Sequence, residues 1–175
     1  MRMTSPSCEA RGQSAWSHCP KASRSGTTNY ESLGALVDAN TDSPEAVAEY
    51  IRRLVFIIAI GNEDAHLKNW SLIYPTGRAA ALSPAYDLVS TITYEGLARG
   101  LGLNLDGGKA FDRISSNSFT RMARRLEHRS ELINTTVEAT VSRILATIDD
   151  FAPELGDRES SLRQHLTRIP LFNGH

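Results

Sequence analysis

Residues 43–61 constrain the fold more than any other stretch of the chain. Ser43 can cap a helix, Pro44 stands at the first helical position where its missing N–H costs nothing, and Glu45 suits the positive helix end. Val47, Tyr50, Ile51, Leu54, Val55 and Ile58 then recur at three-and-four spacing, a core-facing stripe. Beyond Leu54 the pattern is apolar all round. A helix of that kind is buried centrally, so the rest of the chain must wrap around it. Gly61 is its natural stop. The apolar run from Leu54 to Ile60 is seven residues, far short of the ~20 needed to cross a bilayer.

With 175 residues and 41% apolar content, the chain can bury one core. Tyr30, Leu33, Leu36 and Val37 suggest a modest helix before the central one. The runs Trp70 to Tyr74 and Ala79 to Leu82 flank Pro75-Thr76-Gly77-Arg78, which reads as a type I turn closing a hairpin. A strand is expected at Leu101 to Leu105 within a glycine-rich segment from Gly96 to Gly108. Helical patterns return at Ser118 to Leu126, Leu132 to Phe151 and Arg158 to Ile169. The expected fold class is mainly α with a small β-hairpin.

Residues 1–28 are rich in Ser, Thr, Arg and Gly, with no hydrophobic period and no apolar core of a secretory signal. They are expected to form a disordered polar tail ahead of a folded unit at 29–175. Cys8 and Cys19 fall in that tail and make neither a disulfide framework nor a zinc site. A net charge of −1 and a pI near 6.5 argue against autonomous, non-specific DNA binding. A soluble protein is expected.

The chemistry concentrates after the central helix, in Gly61-Asn62-Glu63-Asp64-Ala65-His66-Leu67-Lys68-Asn69 and in Ser83-Pro84-Ala85-Tyr86-Asp87. Asp64 and Asn69 have the separation of the base and the metal-binding Asn in the kinase pattern H-R-D-x-x-x-x-N. Phosphoryl transfer needs an acceptor hydroxyl positioned, its proton accepted, and magnesium on the phosphate oxygens. Asp64 can serve as base. Asn69 and Asp87 offer the hard oxygens that magnesium prefers. On a regular helix Asp64 and Asn69 would stand ~140° apart at ~3.6 residues per turn, so a loop or distorted turn must aim them together. Taken singly each residue is commonplace: Gly61-Asn62 can end a helix, Asp64 can cap the next, Asn69 can close a turn, His66 can be structural and Lys68 solvated.

The segments RRLVFIIAIGNEDAHLKNWSL (residues 52–72) and LSPAYDLVST (residues 82–91) together resemble the C-terminal domain of HipA-type kinases, the toxin Ser/Thr kinases of bacterial toxin–antitoxin modules. The resemblance runs loosely from about Tyr30 to about Ile148. It implies Asp64 as catalytic base, Asn69 and Asp87 as magnesium ligands, and His66 and Lys68 lining the same loop, with Lys68 also facing the nucleotide. It further implies Mg-ATP as cofactor, a protein substrate, a helical lobe of a protein-kinase-like fold, a HipB-like antitoxin partner and a cytoplasmic setting.

No G-x-G-x-x-G or Walker-type pattern occurs, and only Lys21 among the lysines precedes Asp64. The chain is therefore expected to be a catalytic half, active when a separate chain supplies the nucleotide-gripping lobe, and to expose apolar surface where that lobe docks. Two alternatives stand beside this. One is a catalytically inactive fragment that docks an antitoxin. The other is a metal-dependent phosphotransferase or hydrolase holding one cation with Asp64, His66 and Asp87.

Overall fold

In a computed structural model of the chain, residues 28–77, 79–94 and 100–173 are described. The expected tail with its two cysteines, Arg78 of the first hairpin and the start of the glycine-rich segment lie outside these residues.

Helix α2, Pro44–Ile60, is the axis of the fold. Ser43 caps it by accepting from the Ala46 N–H, Pro44 opens it, and Gly61 closes it at φ +61°. The Gly61 N–H donates to Ile58 O and the Asn62 N–H to Ile57 O, the paired bonds of a Schellman ending. A Cβ on Gly61 would also lie 2.5 Å from the Ile92 side chain, so both backbone and packing demand glycine there. Val47, Tyr50, Ile51, Leu54, Val55 and Ile58 are all fully buried. The all-round burial beyond Leu54 is incomplete, because Phe56 stays 41% exposed and Ile60 is half-buried.

Helix α1, Tyr30–Thr41, begins on a capping box between Asn29 and Ser32 and packs against α2. Helices α3, Ser116–Arg125, α4, Ser130–Leu155, and α5, Glu159–Arg168, complete the wrap, with α4 and α5 on α2 and α3 between α1 and α4. Their boundaries lie within a few residues of the sequence patterns. Asp38 of α1 holds Arg129 at 3.0 Å and His128 at 2.9 Å, which pins the α3–α4 junction to α1.

Strands β1, Leu72–Ile73, and β2, Ala81–Leu82, form the expected antiparallel hairpin. Its turn is closed by the Gly77 N–H donating to Tyr74 O at 3.0 Å. The fold is mainly α with a small β element, as expected, and the strand expected at Leu101 to Leu105 belongs to a second hairpin, β3, Gly100–Leu105, with β4, Gly108–Ala110. Sequence periodicity shows one strand there, since the three-residue β4 is too short to carry a period. No helix among the described residues is long and apolar enough to cross a membrane.

Candidate functional site

The Schellman ending turns the chain sharply out of α2 and delivers the motif. Asp64 to His66 form a tight turn closed by the His66 N–H on Asp64 O at 2.7 Å. A single 3-10 turn, Leu67–Asn69, follows. This is the distorted geometry that the Asp64–Asn69 spacing demands.

The loop rests on buried groups. The Tyr30 hydroxyl donates to Ala65 O at 2.7 Å, and the Tyr50 hydroxyl donates to Tyr30 O at 2.7 Å. Burial pushes both phenols above their ordinary range, so they remain donors at any physiological pH. Trp70, 2% exposed, packs edge-on to Tyr30 and tilted against Tyr50. From the other side β3 closes in at Gly102, where a Cβ would lie 2.7 Å from the carbonyl carbon and oxygen of Ala65. Ala65 is thus gripped between α1 and the second hairpin.

The second motif lies across the C-terminal half of α2 as a strap. Arg53, held by Glu49 at 2.7 Å, donates to Ser83 O at 2.6 Å. Burial acts to raise the Glu49 pKa, but hydrogen bonds from Arg53 and Arg52 prevail and hold it below the usual carboxylate value. At the other end of the strap the Asn62 Nδ2 donates to Asp87 O at 3.0 Å. Tyr86 ties the strap to the first motif, with its hydroxyl donating to Lys68 O at 2.7 Å and lying 2.7 Å from the Ser71 hydroxyl.

Asn69 and Asp87, eighteen residues apart, meet through a 2.6 Å hydrogen bond from Asn69 Nδ2 to Asp87 Oδ2. Asp87 has φ +57°, a left-handed conformation that aspartate tolerates and that recurs at functional sites. A shallow pocket beside the pair is lined by Arg53, Asn62, Asn69, Trp70, Tyr86 and Asp87, among others. Asp64, His66 and Lys68 do not line it. Asp64 is exposed, and His66 Nε2 lies 3.9 Å from its Oδ1, too far for a hydrogen bond. Lys68 is exposed.

The oxygens fit a magnesium ion better than a three-ligand site. The Asn69–Asp87 bond uses the amide nitrogen and one carboxylate oxygen, which leaves the Asn69 Oδ1 and the other Asp87 oxygen for a cation. Magnesium suits such a sparse set, because it keeps several waters and takes phosphate oxygens. Among the described residues no group of three or more His, Cys, Asp or Glu side chains could hold a metal ion. The single-cation alternative with Asp64, His66 and Asp87 therefore has no geometric basis.

Sequence reasoning missed Asn62. It is 1% exposed, and beyond its bond to Asp87 O its Oδ1 accepts from the Asp64 N–H at 3.0 Å. It also missed Thr91, whose hydroxyl donates to Gly61 O and accepts from the Glu63 N–H. An Asn directly after the helix-ending glycine was visible, but its read-out as a helix end concealed the side chain's second use.

Comparison with known proteins gives the family. Two proteins of Sinorhizobium fredii that carry the name "Putative kinase" are similar to the chain. Y4dM is 44% identical over 118 residues, covering 67% of this chain and 29% of that protein. Y4mE is 26% identical over 140 residues, covering 74% and 32%. A structure of the Shewanella oneidensis MR-1 toxin–antitoxin complex of HipA, HipB and operator DNA shares the fold. The match has a TM-score of 0.63 and 23% identity, over 82% of this chain and 34% of that one. The chain thus spans about a third of the length of these relatives. The family model described as the HipA-like C-terminal domain matches residues 8–149, most of the sequence, and the chain belongs to that family.

Proposed function

We propose that residues 29–175 work as the C-terminal catalytic lobe of a HipA-like serine/threonine kinase that transfers phosphate from Mg-ATP to a protein hydroxyl. The observation that carries this reading is the direct contact of Asn69 with Asp87, which brings together two side chains from separate motifs that each carry a hard oxygen. When bound, magnesium would neutralise charge on the phosphate oxygens in transfer. Asn69 and Asp87 would hold it. Asp64, exposed at the mouth of the loop, accepts the proton of the acceptor hydroxyl. His66 stands next to Asp64, and Lys68, in the 3-10 turn that follows, would meet phosphate charge.

The grip on the nucleotide is shared with an N-terminal lobe, carried by another segment or another chain. A HipB-like antitoxin is the proposed partner, supported by the complex in which the structural neighbour was solved. With a net charge of −1, the chain itself is proposed to meet the antitoxin rather than DNA, in the cytoplasm. A second reading, an inactive docking module, draws on Tyr86, Leu88 and Val89, exposed beside Asp87. The two readings part in calorimetric titration with magnesium and a non-hydrolysable ATP analogue. The catalytic reading expects saturable binding that Asp87→Ala abolishes and Asp64→Asn spares, and Asp64→Asn then blocks transfer in the reconstituted kinase. Normal transfer by the Asp64→Asn, Asp87→Ala double variant refutes it.

A further inference from the structure

We propose that Asn62 is the positioning residue that sets Asp64 and Asp87 against each other, through the two ends of one buried amide. The inference rests on the kinase reading for what those two aspartates do. Its geometric part stands by itself.

Both aspartates are exposed, so no surrounding core packing fixes their relative placement. Asn62 bonds to the backbone of both. Its Nδ2 donates to Asp87 O at 3.0 Å and its Oδ1 accepts from the Asp64 N–H at 3.0 Å. The side chain is 1% exposed, and at that depth a polar group is kept only when it is satisfied. Ending α2 does not need this amide, because the backbone N–H of Asn62 makes the bond to Ile57 O that completes the Schellman ending. Apolar residues commonly serve at this position. The carbonyl that Asn62 holds also belongs to a residue in the left-handed region, at φ +57°. Asn62 holds that backbone through its carbonyl.

The consequence is alignment. A base and a metal ligand act together only when placed to within about 0.5 Å of the productive geometry. Here one planar amide runs from the backbone of the base to the backbone of the ligand, beside the Tyr86–Lys68 and Asn69–Asp87 bonds that also join the two motifs. Thr91 supplies the natural control. It is similarly buried and joins the same two segments, but it contacts Gly61 O and the Glu63 N–H rather than either aspartate.

The test compares Asn62→Asp, Asn62→Ala and Thr91→Val in the full chain. Asn62→Asp keeps an acceptor for the Asp64 N–H but turns an anionic oxygen towards Asp87 O. It is expected to weaken binding of manganese with a non-hydrolysable ATP analogue by about 10–100-fold, as loss of a group supporting a metal ligand does. Thr91→Val is expected to lower the melting temperature comparably and leave that affinity unchanged. Hydrogen exchange and amide chemical shifts give a second readout that needs no nucleotide. Asn62→Ala should unprotect the Asp64 N–H and shift the Leu88 amide, whose peptide contains Asp87 O. The proposal is overturned if Asn62→Ala leaves both signals unchanged, or if Asn62→Asp weakens binding no more than Thr91→Val. Where the wild-type chain binds no metal–nucleotide without an N-terminal lobe, the exchange and shift data decide the bridge.

Discussion

Replacing Gly102 by alanine should destabilise the fold at one defined point. The added Cβ would lie 2.7 Å from the carbonyl carbon and oxygen of Ala65 and 3.0 Å from His66 N. Unstrained contact between carbons needs ~3.5–4.0 Å, so the overlap is roughly 1 Å, and every atom met belongs to the backbone. No side chain can swing away. Either β3 retreats or the Ala65–His66 peptide moves, and Ala65 O is the acceptor for the buried Tyr30 hydroxyl. Overpacking of this kind costs ~1–3 kcal/mol, and a weakened buried hydrogen bond adds ~1 kcal/mol. The expected loss is about 2–4 kcal/mol, a fall in Tm of about 5–15 °C for a chain of this size. Urea and thermal denaturation measure it, with Gly108→Ala as the control, since a Cβ at Gly108 meets nothing within 4 Å. If Gly102→Ala matches the wild type while Gly108→Ala is also neutral, the second hairpin does not grip the loop and the reasoning fails.

Two further outcomes follow from the ends of the helices. Ser43→Ala removes the side-chain acceptor for the Ala46 N–H and should cost ~1 kcal/mol; an unchanged urea midpoint would mean that Pro44 and packing alone start α2. His165 lies with Nε2 2.8 Å from Ile58 O and edge-on to Phe111. Burial depresses its pKa below 6.5, against the pull of the Ile58 carbonyl and with a small push from Arg168. Because the folded pKa is the lower one, the unfolded chain takes up the proton first as pH falls. Stability should therefore be full above the unfolded value, ~6.5, and decline below it towards the folded pKa. His165→Gln should flatten that slope below neutral pH, and an equal slope in both proteins would assign it to another group.

Tyr86, Leu88 and Val89 are exposed beside Asp87, and Phe56 is the one large apolar side chain that α2 leaves exposed. The second hairpin escaped notice for a physical reason. Its pairing runs between Gly100 and Ala110 and between Leu105 and Gly108, with an irregularity between, so neither strand shows a clean two-residue alternation. Asp64 and Asp87 were legible as candidate site residues from residue type and spacing. The means of holding them was not.

The sequence by itself determined what short-range physics controls. Ser43, Pro44 and Gly61 set the ends of α2 through capping and backbone angle, its apolar period set its buried face, and Pro75 with Gly77 set the first turn. It also carried the residue types of the two motifs at their spacing, on which the family likeness rests. Only the tertiary structure decided that Asn69 meets Asp87, that Asn62 reaches Asp87, and that Tyr30 grips Ala65. These contacts join residues eighteen, twenty-five and thirty-five positions apart. No local propensity encodes such meetings, because they arise when distant segments are packed against one central helix and a buried polar side chain takes whichever partners that packing brings within reach.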